Sequence, residues 1–180
     1  MVDQTNIEAL RSKYTAARNK YKPREIKALL ITEAPSCSLD KDFYFEDVPK
    51  QDSLFLETMA VLYPNDKEKY LKKKRDPLLK KQLLHKFKED GFWLIDLAEV
   101  PVEVTGESYE ASFPHLLLRI EKAISKQTPI ILIKANVYDI CYPKLKSLHY
   151  NVIKERLPFP GSGQQGVFRE KFSKIIEALS

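Results

Sequence analysis

Three nearly continuous runs of Leu, Ile and aromatic residues interrupt an otherwise charged chain, at 27–32, 92–97 and 130–134. Runs without polar alternation mark strands buried on both faces of a parallel sheet. A shorter run at 151–153 reads as a fourth strand. Between the runs the spacing becomes helical. Leu54, Phe55, Thr58, Val61 and Leu62 fall near one face of a helix over 53–63. Leu117, Ile120 and Ile124 do the same over 113–126, with Pro114 expected in the first turn. Phe168, Phe172, Ile175, Ile176 and Leu179 define a terminal amphipathic helix. Strands joined by helical crossovers predict an α/β chain: three α/β/α layers around a four-stranded, mainly parallel sheet. With no repeat or Gly/Ser linker, 1–180 reads as one domain, with 1–25 as an N-terminal helical extension.

Composition fits this picture. The chain has 180 residues, enough to bury about two-thirds of the surface its unfolded form exposes. At 43% hydrophobic and 31% charged residues it is globular in type. Residues 1–14 lack the apolar core of a signal peptide, and the apolar stretch 130–133 is far too short to cross a bilayer. Two cysteines, Cys37 and Cys141, make neither a disulfide framework nor a four-ligand metal site. A reduced, cytoplasmic setting without membrane association, cofactor or obligate protein partner is therefore expected.

Charge adds one local feature. Thirty Lys and Arg against twenty-five Asp and Glu leave a net +5. Residues 67–88 hold ten Lys or Arg and two acids, so this segment exceeds the surplus of the whole chain. It is either a solvated helical face, broken at Pro77, or a footprint for a phosphate backbone.

Two segments carry candidate chemistry. Glu33-Ala34-Pro35-Ser36 follows the first strand, and ligands of open α/β sheets bind beyond the carboxyl ends of strands. The segment 157–166 holds three of the five glycines just before the last helix, where backbone amides favour phosphate. It lacks the Gly-Lys-Ser/Thr ending of a Walker loop and the placement of a dinucleotide fingerprint.

Glu33-Ala34-Pro35, the run Phe92-Trp93-Leu94-Ile95-Asp96-Leu97, and Pro158-Phe159-Pro160-Gly161-Ser162 occur in the order of three motifs of the uracil-DNA glycosylase superfamily, which the chain resembles from about residue 27 onward. The resemblance implies a uracil-DNA glycosylase-like fold and a monofunctional DNA N-glycosylase. Such a hydrolase flips a base out of DNA and leaves an abasic site. It implies Glu33 as the catalytic carboxylate, and Asp96, Ala34 and the aromatics Phe43, Tyr44 and Phe45 as the base pocket. Ser36, Pro158, Pro160, Gly161, Ser162, Gly163, Gln164 and Gln165 would grip the DNA. No lysine within these motifs predicts a Schiff-base lyase step, so a monofunctional enzyme is expected.

The chain also departs from the family pattern. Leu157 stands where the last motif often has a catalytic His, and two cysteines cannot supply the iron–sulfur cluster of some branches. His85, His115 and His149 read as structural or surface residues. Asp96 replaces the base-reading Asn. An amide matches uracil's carbonyl and imino proton, whereas a carboxylate suits the exocyclic amine of cytosine, provided one proton is shared with the ring nitrogen. A modified cytosine-type base, as in phage DNA, is therefore expected before uracil. A uracil-excising repair enzyme, an inactive nucleic-acid-binding module and a nucleotide enzyme using the glycine loop are the alternatives.

Overall fold

β1 (Ala28–Thr32) lies between β2 (Phe92–Asp96) and β3 (Ile130–Leu132) in a parallel sheet of order β2-β1-β3. These elements belong to a computed structural model that describes residues 4–36 and 39–180; Cys37 lies outside them. Every residue of β1 and β3 is buried, so both faces of the sheet are covered, as their unbroken Leu/Ile content predicts. The chain is α/β. The helices are α1 (Gln4–Lys20), α2 (Ser53–Leu62), α3 (Pro64–Lys72), α4 (Pro77–Glu89), α5 (Val102–Thr105), α6 (Tyr109–Ala123), α7 (Ala135–Ser147) and α8 (Gln165–Leu179). Helix α4 packs on β2, α7 on β3, and α2 on α8.

The fourth expected strand does not form among the described residues. Val152 bridges Ile130 and Leu157 bridges Ile133, both in parallel, but as isolated contacts. Five residue steps on the outer segment face three on β3, so the ladder cannot stay in register. The excess is taken up where the Glu155 amide turns back onto the Ile153 carbonyl.

One helix start differs from expectation and another agrees with it. Helix α6 begins at Tyr109, where Ser108 accepts from the Ala111 amide, so Pro114 sits inside the helix on its exposed side. The break at Pro77 is real: Asp76 caps α4 by accepting from the Leu78 amide at 2.9 Å, and Pro77 takes the first turn, where its missing N–H costs nothing.

Helix α1 is integrated rather than appended. Tyr14 and Arg18, four residues apart and therefore on one face, are both buried. The Trp93 indole N–H donates to the Arg18 carbonyl at 3.1 Å, docking α1 on β2. β2 is an edge strand, and its outward Leu94 amide and carbonyl are both met by the Tyr44 hydroxyl at 2.8 Å.

Candidate functional site

Strand register brings the site together. Thr32 pairs with Asp96 and Ile31 with Leu132, so Glu33, Asp96 and Lys134 emerge side by side at the carboxyl ends of three adjacent strands. All three line one cavity of about 390 Å³. This volume lies within the range of small-molecule sites.

Glu33 is surrounded by donors. Its Oε1 accepts from the Tyr109 hydroxyl at 2.7 Å. Its Oε2 accepts from the Asn136 amide and pairs with Lys134 Nζ at 2.7 Å. Burial alone pushes the carboxyl pKa up, but the bonds from Lys134, Asn136 and Tyr109 outweigh it and hold the group below the ordinary carboxylate value. A carboxylate has about four lone-pair sites, so three donors leave room for one water. Glu33 is thus a stable anion and a weak base.

Asp96 sits in the opposite environment. It is 8% exposed, and its nearest cation, Arg18 Nη1, is 3.9 Å away. Burial, reinforced by the neighbouring Asp42 carboxylate and only partly offset by Arg18 and Arg119, pushes its pKa up to about 7. Arg119 spends one arm on the backbone, donating to the Asp96 and Leu97 carbonyls at 2.8 and 3.0 Å. Near neutral pH the Asp96 carboxyl is therefore divided between a donor form and an acceptor-only form.

The loop carrying the three aromatics is held from below. Lys80, fully buried on α4, donates to the Asp42 carbonyl at 3.2 Å and to the Phe45 carbonyl, with its ammonium 4.6 Å from the Phe55 ring centre. Burial lowers its pKa to about 8, against the pull of Asp52, Asp42 and Glu46. Phe43 and Tyr44 line the cavity; Phe45 does not, and packs edge-on against Tyr14. Tyr44 is committed to β2 and stacks on Tyr21, which leaves Phe43 as the stacking candidate.

No protein-family model, curated protein or solved structure matches the chain. The functional reading therefore rests on its motifs and on this cavity.

The remaining expected residues divide. Ala34 and Ser36 line the cavity, and the Ser36 carbonyl accepts from Tyr14. From the glycine loop only Phe159 reaches the cavity wall, with Lys134 Nζ 6.0 Å from its ring centre. Pro158, Pro160, Gly161, Ser162, Gly163, Gln164 and Gln165 lie outside the lining, although a side chain at Gly161 would come within 3.8 Å of the lining residue Ser53. A Cβ at Gly163 would meet nothing within 4 Å, and its φ of +85° is what favours glycine within the protein itself. Leu157 is wholly buried, and among the described residues no histidine lines the cavity. His85 packs edge-on against Tyr21, while His115 and His149 are exposed.

Sequence reasoning missed Arg18, Asp42, Tyr109, Lys134 and Asn136. Lys134 had a usable signal, because it follows β3 as Glu33 follows β1. The others come from helices and a loop whose approach no local pattern announces.

Proposed function

We propose that the protein is a DNA glycosylase that hydrolyses the N-glycosidic bond of a flipped, cytosine-type base, on a three-layer, uracil-DNA glycosylase-like arrangement. The observation that carries this reading is the opposed ionisation of two carboxyl groups in one cavity, Glu33 held down and Asp96 raised to about 7. Groups whose environments drive their pKa values apart divide acid and anion roles between them.

In this mechanism the base enters the cavity with Phe43 against its face. Protonated Asp96 donates to the ring nitrogen beside the exocyclic amine, while its other oxygen accepts from that amine. As the C1′–N bond breaks, the electron pair leaves with the base, which takes the Asp96 proton and departs neutral. The Glu33 anion supplies negative potential beside the sugar cation and orients the water that attacks C1′. The proton of that water returns through solvent to Asp96.

Basic residues beside the cavity lining support a DNA partner. Arg75 donates to the lining residue Asp52 at 3.3 Å, and the exposed Lys72, Lys73 and Lys74 precede it directly. Among the described residues no histidine lines the cavity, which favours the rival, a nucleic-acid-binding module without catalysis. Abasic-site formation separates the two. Oligonucleotides carrying uracil, cytosine or five-substituted cytosines are incubated with wild type and with Glu33→Gln. Product with wild type alone supports the enzyme; tight binding without product supports the module.

A further inference from the structure

We propose that Lys134 is the nucleophile of a second activity, an abasic-site lyase that forms an imine with the C1′ aldehyde and cleaves the strand on its 3′ side; this rests on the reading of the cavity as a sugar-binding glycosylase site. The amine is in the right place by register, since Lys134 lies two residues beyond Leu132 and Glu33 two beyond its partner Ile31. Its Nζ is 2.7 Å from Glu33 Oε2, so an anion beside C1′ brings the amine beside C1′ as well. Its side chain is 39% exposed and lines the cavity, so it is accessible to a carbonyl carbon.

The backbone supports a functional placement. Lys134 has φ +88° and ψ 138°, a conformation that side chains beyond glycine rarely adopt. Such strain persists where surrounding structure over-determines it, commonly at reactive sites. Here the Lys134 amide donates to the Leu157 carbonyl at 3.1 Å, and its carbonyl accepts from Tyr138 in the first turn of α7. Tyr109 and Asn136 already hold Glu33, so the carboxylate stays anchored when the lysine leaves it.

The chemistry balances with the groups present and solvent. Solvent takes one proton from the Lys134 ammonium, and the free amine adds to C1′. A proton from solvent lets the C1′ hydroxyl depart as water, leaving a protonated imine beside the Glu33 anion. Water then removes the C2′ proton, the C3′–O bond breaks, and the 3′ phosphate leaves with the electron pair. Hydrolysis of the conjugated imine frees the lysine.

The test uses the full chain and a duplex with one preformed abasic site, so base choice plays no part. Sodium cyanoborohydride reduces any imine to a stable amine, and peptide mass spectrometry locates the adduct. The proposal expects strand cleavage and an adduct on Lys134, both lost in Lys134→Gln. Lys134→Arg preserves the ion pair and the positive charge but has no nucleophilic amine; it should melt near wild type and give no adduct. An adduct on another lysine or the N-terminus, or an undiminished yield in Lys134→Gln, overturns the inference. Base excision without trapping overturns it while leaving the glycosylase reading intact. Absence of both excision and trapping removes that reading as well.

Discussion

Glu33 and Asp96 occupy the carboxyl ends of neighbouring strands, yet their surroundings drive them in opposite directions. Around Glu33 the cavity wall is polar: a tyrosine hydroxyl, an asparagine amide and a lysine converge on one carboxylate. Asp96 is buried, with a second carboxylate, Asp42, nearby and the Arg18 cation 3.9 Å away. The same chemical group becomes a fixed anion on one side and a proton carrier on the other. The difference lies in what each packs against, which is why motif order alone does not reveal it.

The most damaging way to break this pairing is Glu33→Gln. It removes the anion while keeping size and most hydrogen bonding, and should lower the single-turnover excision rate by about a hundredfold or more with DNA affinity little changed. A wild-type rate would take Glu33 out of the mechanism.

Next in size is the support beneath the aromatic wall. Lys80→Ala removes two charge-assisted bonds to the 42–45 loop and opens a cavity on α4. A loss of about 3 kcal/mol in chemical unfolding, with weakened excision, is expected. An unchanged unfolding midpoint would show that the loop holds itself.

Asp96→Asn sharpens the comparison. The amide presents a donor and an acceptor but has no proton to give a departing cytosine, whereas uracil can leave as a delocalised anion; preference should move toward uracil by about ten- to a hundredfold. It also has a stability signature. The folded Asp96 pKa, about 7, stands above its ordinary 3.8, so the native state binds this proton more tightly. That contribution is full below the unfolded value and lost as pH rises through about 7, a change on the order of a few kcal/mol. Unfolding curves for wild type and Asp96→Asn at pH 5 and 8 should show the loss in wild type alone.

The smallest effect is expected at Gly163→Ala. Space is open, so only the positive φ matters, at about 1 kcal/mol. A loss of DNA affinity beyond this would show that the loop backbone touches the nucleic acid.

Much of the scaffold was legible in the chain. Unbroken Leu and Ile runs located β1, β2 and β3; the strand-end rule pointed to Glu33, and the motif resemblance to Asp96. The fourth strand was misread because Val152 and Ile153 are apolar enough for a strand, while the exposed Lys154 and Arg156 beyond them carry the chain out of register. The partners of Glu33 were hidden by distance: Tyr109 and Asn136 lie 76 and 103 residues away. Arg18 was hidden because α1 is polar along most of its length, and its burial depends on docking to Trp93.

The central claim is that one carboxyl acts as anion and the other as proton donor. Its most direct test is the pH profile of single-turnover excision on a five-substituted cytosine substrate, for wild type and Asp96→Asn. The account predicts that the wild-type rate declines as pH rises through about 7, as Asp96 loses its proton, and that this limb is absent from Asp96→Asn. Superimposable profiles, or a wild-type rate that climbs through the same interval, would contradict it.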